Sequence, residues 1–331
     1  MNISAIIPVW NGRDLLERLL ATLDAQTLPV TELLVVDNGS TDGAPEMAQR
    51  RGARVVPMGR NAGFAPAVNR GITESRGDWI AVLNSDIELA PDYFEALADT
   101  GAWFATGRIL KAGAPHRVDA AFDALCRGAT AWRVGHGRDD GPAFASARVI
   151  WSAPWTAALF RRDLFGRVGL LEESFESYLE DVDFGLRCAR LNLTGQYVPG
   201  AIAWHRGSAA LGPWHPDTVC HIARNQLLLA ARHYPSACLL RWFWPILVAQ
   251  LLWGALALRH GAFTAWARGI GQGIRRFSAS RQASSVCEPQ LLRAILATHE
   301  RLIRQFQSAT GFDLYWRLYF LLAGGGSHSG D

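Results

Sequence analysis

Trp79-Ile80-Ala81-Val82-Leu83-Asn84-Ser85-Asp86 runs five apolar residues straight into a polar tripeptide that ends in a carboxylate. A short unbroken apolar run is the pattern of a strand buried on both faces. Ligands of open α/β sheets gather at the carboxyl ends of such strands. Asp86 therefore stands at the mouth of a candidate site, where a hard cation bridging to phosphates could use it. Alone, the tripeptide is also an ordinary polar turn, because Asn, Ser and Asp are common turn residues. Its companions elsewhere in the chain decide between these readings.

Upstream, strand and helix alternate. Ser4–Pro8 reads as a strand, and Arg13–Gln26 as a helix with Leu15, Leu16, Leu19, Leu20 and Leu23 at helical spacing. Leu33–Val36, Arg54–Val56 and Trp79–Leu83 read as further strands, with helices over Gly43–Arg51 and Ala65–Ser75. Such alternation with short loops indicates a parallel, right-handed α/β sheet. Downstream, the pattern predicts helices over Pro91–Thr100, Asp163–Val168 and Val182–Leu191 and strands over Trp103–Leu110, Trp155–Phe160 and Gln196–Trp204. Residues 111–150 carry only weak signals and read as loops and short strands.

The C-terminal part differs in composition. Residues 1–200 hold 20 Lys/Arg and 25 Asp/Glu, whereas residues 201–331 hold 13 and 5. Between Asp217 and Glu288 there are eight arginines and no acid. Pro216–His233 reads as a helix. Trp242–Leu258 is seventeen residues long and apolar or small except for Gln250, at the lower edge of what spans a bilayer. Ala262–Phe277 interleaves Arg268, Arg275 and Arg276 with Phe, Trp and Ile, which suits a helix lying in an anionic interface. A core helix with a solvated neighbour is the plain alternative. Five scattered cysteines show no metal-ligand spacing, so neither a disulfide framework nor a zinc site is expected. The N-terminus shows no signal-peptide pattern, and a cytoplasmic setting is expected.

Four polar loops close or follow the N-terminal strands: Pro8-Val9-Trp10-Asn11-Gly12, Asp37-Asn38-Gly39-Ser40-Thr41-Asp42, Asn61-Ala62-Gly63-Phe64-Ala65 and Asn84-Ser85-Asp86. Together they converge on one sheet edge, which turn chemistry does not require. A nucleotide there could use the Asp37 carboxylate at base or ribose and Trp10 for stacking. Gly63 would permit close backbone approach, and a divalent ion at Asp86 would neutralise a diphosphate. No Gly-x-Gly-x-x-Gly follows the first strand and no Gly-Lys-Ser/Thr loop is present, so dinucleotide and P-loop readings lack their phosphate cradle. A fifth feature, Glu180-Asp181-Val182-Asp183, either complements a helix dipole or supplies a general base. A sixth, Trp204-His205, places an imidazole after a strand. It is either structural or a ligand compatible with Mn²⁺.

In this order the six features resemble family 2 inverting glycosyltransferases of GT-A-type fold, and more narrowly their bacterial rhamnosyltransferase-like branch. The resemblance covers about residues 3–235 and includes Asn69-Arg70-Gly71 and Ala223-Arg224-Asn225-Gln226. It implies an α/β nucleotide-diphospho-sugar transferase fold, a mostly parallel sheet flanked by helices. It also implies a donor-binding set of Pro8, Trp10, Asn11, Asp37, Asn38, Ser40, Asn61, Gly63, Phe64, Asn69, Asn84 and Ser85. Asp181 matches the base, Glu180 would orient the acceptor, and Asp86 and His205 match metal ligands for Mg²⁺ or Mn²⁺. Asn84 replaces the first acid of the family's metal motif. Gly169-Leu170-Leu171-Glu172-Glu173 replaces its Gly-Gly-Phe-Asp-Glu, which leaves acceptor identity open.

The expected reaction is single-displacement transfer from a nucleotide-sugar, with dTDP-L-rhamnose one candidate, to a lipid-linked or surface-glycan hydroxyl. The expected organisation is a catalytic domain over 1–235 (nucleotide half 1–100, acceptor half 101–235), a membrane-associating helical extension over 236–322 and a disordered tail over 323–331. An anionic membrane surface, not nucleic acid, is the expected partner. The expected location is the cytoplasmic membrane face, peripheral, with 242–258 a candidate for a short inserted helix. A non-catalytic sugar-nucleotide-binding scaffold is the alternative. It would need no Asp86, Asp181 and His205 together.

Overall fold

The computed structural model describes residues 1–207, 212 and 214–324. Its strands are β1 (Ile3–Val9), β2 (Glu32–Asp37), β3 (Arg54–Pro57), β4 (Trp79–Leu83), β5 (Ile87–Leu89), β6 (Phe104–Lys111), β7 (Ala114–Ala120), β8 (Asp123–Leu125), β9 (Ala131–Arg133), β10 (Arg148–Ile150), β11 (Ala157–Arg161) and β12 (Gly195–His205). Its helices are α1 (Arg13–Asp24), α2 (Ala44–Arg50), α3 (Phe64–Glu74), α4 (Tyr93–Ala98), α5 (Arg162–Val168), α6 (Glu180–Arg190), α7 (Pro216–His233), α8 (Ser236–Arg241), α9 (Phe243–Arg259), α10 (Phe263–Gln282), α11 (Pro289–Thr310) and α12 (Leu314–Leu322).

The main sheet has the order β10-β12-β6-β11-β4-β1-β2-β3. β1 pairs in parallel with β2 and β4, β2 with β3, and β6 with β12. β11 lies antiparallel between β4 and β6, so those two also share a direction. Val9, Asp37, Leu83, Lys111 and His205 therefore end their strands at one edge. This is the expected mostly parallel α/β sheet. α1 closes one face with Leu16, Leu19, Leu20 and Leu23, a fully buried helical stripe. Asp42 Oδ2 accepts the Arg13 N–H at 2.8 Å and its Oδ1 the Ala44 N–H at 3.1 Å, so one side chain caps both α1 and α2. Trp155, Phe160 and Phe184 pack with ring centroids 4.4 to 6.1 Å apart and seat α6 on the sheet.

The chain divides into two compact units: Met1–Asp123 with Arg133–Gly212, and Ala124–Trp132 with the chain after Gly212. The expected boundary at residue 235 falls inside the second of these units. α7 packs along α10 inside the second unit, where Gly269 and Gly273 of α10 let it approach the backbone at Cys220 and Arg224. The strand-like hairpin β8–β9 was unreadable from sequence, because each strand is three residues long. The five cysteines are buried, and none is in a disulfide. Among the described residues no helix is long and apolar enough to cross a membrane. α9 has seventeen residues and buries one stripe, Pro245, Val248, Ala249, Gln250, Gly254 and Ala257. Of the expected tail, residues 325–331 lie outside the described residues, while α12 ends at Leu322.

Candidate active site

A cavity of about 580 Å³ opens at the carboxyl edge of the sheet in the first unit. Pro8, Trp10 and Asn11 line it from the end of β1, and Asn38 from the end of β2. Asn61, Gly63 and Phe64 line it from the loop before α3, and Asn84, Ser85 and Asp86 from the end of β4. His205, Arg133, Ser177 and Tyr178 complete the wall. Trp10 is half-exposed at 41%, an aromatic face free to stack.

Three expected donor residues do not reach this wall. Asp37 is buried and its Oδ1 accepts the Ser40 N–H at 2.9 Å. Ser40 Oγ in turn accepts the Asn11 N–H at 2.8 Å. These bonds shape the loops after β1 and β2. Asn69 is tied to another loop. Its Nδ2 donates to Leu171 O at 2.9 Å and to Glu173 Oε1 at 3.0 Å, and its Oδ1 accepts the Leu171 N–H. It clamps α3 to the loop after α5, because a buried amide must satisfy both its ends.

The loop over 61–65 is fastened on two sides. Asn38 Nδ2 donates to Gly63 O at 3.2 Å, Phe64 N–H donates to Ser177 Oγ at 3.1 Å and Ala65 N–H to Glu176 O at 2.9 Å. Gly63 has φ +97, and a Cβ there would sit 2.7 Å from Glu176 O, so only glycine permits this approach. Glu176, Tyr178 and Leu179 all adopt positive φ (60, 72 and 68) immediately before α6. Strained backbone of this kind persists where the surroundings over-determine it.

His205 lies between two carboxylates: Nδ1 is 2.8 Å from Asp119 Oδ2 and Nε2 is 3.1 Å from Asp86 Oδ1. Asn84 Nδ2 is 3.5 Å from the same Nε2. Burial alone would lower the proton affinity of His205. The hydrogen bonds to Asp119 and Asp86 outweigh burial and raise its pKa to about 9. Burial would raise Asp119, but hydrogen bonds from His136 and His205 hold it well below the usual carboxylate range. Among the described residues no group of three or more His, Cys, Asp or Glu is arranged to hold a metal ion. Asp86 and His205 at the cavity wall could hold a divalent cation, the imidazole fitting Mn²⁺ better than Mg²⁺. Asp119 behind Nδ1 is the partner that fixes a ligating imidazole's tautomer.

Glu180 and Asp181 form the first turn of α6 and are buried. Asp181 Oδ1 accepts the Val182 N–H at 2.9 Å, and its Oδ2 accepts from Arg133 Nη2 at 3.0 Å. Burial raises the proton affinity of Asp181 against the pull of Arg133, and burial with the Asp181 charge raises Glu180 well above its usual value. Asp183 instead pairs with Arg187 at 2.9 Å. Asp119, Asp123 and Arg133 escaped the sequence reading. A usable signal existed: Val118-Asp119-Ala120-Ala121-Phe122-Asp123-Ala124-Leu125 embeds two acids in an apolar run, and acids are seldom fully buried without a partner.

A cavity at the carboxyl edge of a mostly parallel sheet is where ligands of open α/β folds bind. The profile "Glycosyl transferase family 2" matches residues 4–103. An N-acetylglucosaminyl-diphospho-decaprenol L-rhamnosyltransferase of Mycobacterium tuberculosis is 30% identical over 278 residues, covering 74% of this chain and 87% of the relative. An uncharacterized glycosyltransferase of Bacillus subtilis, EpsJ, is 26% identical over 202 residues, 57% of this chain and 56% of the relative. Among solved structures, GalNAc-T7 with UDP, GalNAc and Mn²⁺ superposes with TM-score 0.63 at 13% identity, covering 93% of this chain and 58% of that one. The mannosyltransferase PcManGT of Pyrobaculum calidifontis with GDP-Man and Mn²⁺ gives 0.51 at 19%, covering 97% and 86%. The chain belongs to glycosyl transferase family 2, in its rhamnosyltransferase-like branch, and is a glycosyltransferase.

Proposed function

We propose that the enzyme moves a sugar from a nucleoside-diphosphate donor to a hydroxyl of a lipid-linked or growing surface glycan, inverting the anomeric carbon in one displacement. The observation that carries this reading is one cavity lined by both Asp86–His205 and Arg133, the last holding Asp181. Asp181 takes the acceptor proton, which makes that oxygen nucleophilic as it attacks. Glu180 beside it orients the acceptor. Pro8 and Trp10 bind the nucleotide, and Asp37 and Ser40 hold the loops that present it. Asp86 and His205 would hold a divalent cation. Such an ion, when bound, supplies charge neutralisation for the departing diphosphate.

The relative's name supplies the first pair to assay: dTDP-L-rhamnose with an N-acetylglucosaminyl-diphospho-polyprenol. Transfer is measured with and without Mn²⁺ or Mg²⁺, for the wild type and for Asp181→Asn. Unchanged turnover in Asp181→Asn rules that residue out as the base. A scaffold has no need of Asp86 and His205 in one cavity with the Arg133 that holds Asp181, and this favours the catalytic reading.

The second unit is proposed to hold the enzyme peripherally at the cytoplasmic membrane face. Leu240, Phe243, Trp244, Leu258 and Leu321 are exposed, at 81, 65, 54, 63 and 75%. Trp244 Nε1 donates to Leu322 O at 2.8 Å, which brings the start of α9 to the end of α12. Arg241, Arg259, Arg275 and Arg276 are exposed elsewhere on the same unit. Aromatic and aliphatic side chains with arginines are the makeup of an interfacial anchor. Sedimentation with anionic but not neutral vesicles is expected, and Phe243→Ser/Trp244→Ser should abolish it.

A further inference from the structure

The Arg133 guanidinium is shared. Nη2 lies 3.0 Å from Asp181 Oδ2, and Nε lies 3.4 Å from Asp123 Oδ1. Asp123 and Asp181 are both buried, while the Arg133 side chain keeps 35% of its surface and lines the cavity. Asp123 Oδ2 and Glu180 Oε2 are buried without a hydrogen-bond partner among the described residues. Ser152 ties the two sides together: its carbonyl accepts the Asp123 N–H at 3.3 Å, and its Oγ donates to Asp181 O at 3.2 Å. Three carboxyl groups thus surround one guanidinium, and one of the three is the proposed base.

We propose that Asp123 and Arg133 are positioning residues that together set the orientation and the proton affinity of Asp181. This rests on the assignment of Asp181 as the base. Arg133 and the Val182 N–H grip one carboxylate oxygen each, so the Asp181 carboxylate is held in a single orientation. The positive charge of Arg133 favours ionised Asp181, whereas the charges of Asp123 and Glu180 oppose it. Asp123 also divides the guanidinium's attention. Arginine alone would favour the ionised, weaker base, and its absence would favour the protonated form. Sharing Arg133 with Asp123 leaves Asp181 between these limits, where a general base works best.

The charged groups that bear on the cluster are Glu180 from α6, Asp123 from β8, Arg133 from β9 and, through Arg133, Asp119 from β7. Burial and the Asp181 charge raise the pKa of Asp123 to about 7 against the pull of Arg133. Asp123 and Asp181 share Arg133, so their proton losses belong to the pair and not to either residue alone.

The test is the pH profile of kcat/KM for transfer in the full-length enzyme, read at its acid limb. Asp123→Asn removes the opposing charge, so the limb should move down by roughly half to one pH unit. Arg133→Met removes the favourable charge, so the limb should move up by about one unit or more. Arg133→Lys keeps the charge with poorer geometry and should fall between wild type and Arg133→Met. Opposed displacements support the proposal. Unmoved limbs, or displacements of one sign, overturn it while Asp181→Asn remains inactive. Normal transfer by Asp181→Asn instead removes the base assignment itself. Circular dichroism of each variant reports its folding, and Arg133→Lys carries the test where Arg133→Met does not fold.

Discussion

Asp119 Oδ2 lies 2.8 Å from His205 Nδ1, and both groups are buried behind a cavity that only His205 enters. Asp119 comes from β7, which returns antiparallel along β6, while His205 ends β12 on the other side of β6. The sheet thus brings an acid and an imidazole together that are 86 positions apart. Asp119→Ala should weaken Mn²⁺ affinity by about 10- to 100-fold, the range for losing a partner that orients a ligating imidazole. Titration of donor turnover with Mn²⁺, and the electron-spin resonance of bound Mn²⁺, both report it. Equal half-saturation in wild type and variant would show that Asp119 does not set the ring.

Gly63→Ala should damage the donor loop. The added Cβ meets Glu176 O at 2.7 Å, and φ +97 is unfavourable for alanine. The loop would have to leave Ser177 and Glu176, its two anchors ahead of α6. A loss of about 1–3 kcal/mol in stability is expected, with a raised KM for the nucleotide-sugar. Denaturant unfolding and donor titration measure the two effects. Wild-type values for both would mean that the loop tolerates the shift.

In the second unit, Glu300 Oε1 accepts from the Arg127 N–H, from Arg127 Nε and from Tyr319 OH, each at 3.0 Å. One carboxylate oxygen therefore fastens the turn between β8 and β9 to α11 and α12. Removing one partner of a nearly buried pair strands the other, so Glu300→Ala should cost about 3–5 kcal/mol. Tyr319→Phe removes a single hydrogen bond and should cost about 1 kcal/mol. Thermal melts separate the two. Similar small losses would place the stability of this unit elsewhere.

What the sequence disclosed follows from how its signals are carried. β1, β2 and β4 are apolar runs ending in polar loops, so the strands and their shared edge could be read directly, and the place of Asp86 at that edge with them. The first turn of α6 was legible because Glu180, Asp181 and Asp183 crowd one helix start. Asp119, Asp123 and Arg133 sit on β7, β8 and β9, which are short or carry exposed residues such as His116 and Arg117. Two-residue periodicity has no length there to show itself. The partners of Asn69 are hidden in the sequence for a different reason. An Asn on a helix facing a ligand loop and an Asn clamping a neighbouring loop look alike until the partner, Leu171, is in view.

His299 makes the second unit sensitive to acid. It is buried on α11, and its Nδ1 accepts the Leu125 N–H at 3.1 Å, a role open only to an unprotonated nitrogen. Burial lowers its pKa to about 4, whereas an exposed histidine titrates near 6.5. On lowering the pH the unfolded chain therefore takes up the proton first. The neutral ring's contribution is intact above about pH 6.5 and is lost progressively toward about pH 4. At about 1.4 kcal/mol per pKa unit, the loss approaches roughly 3 kcal/mol at the acid end. His299→Gln keeps an acceptor for Leu125 but cannot titrate in this window. Its unfolding free energy, measured by denaturant titration at several pH values from about 7 to 4.5, should fall less steeply than that of the wild type. Parallel curves would mean that the acid response comes from other groups.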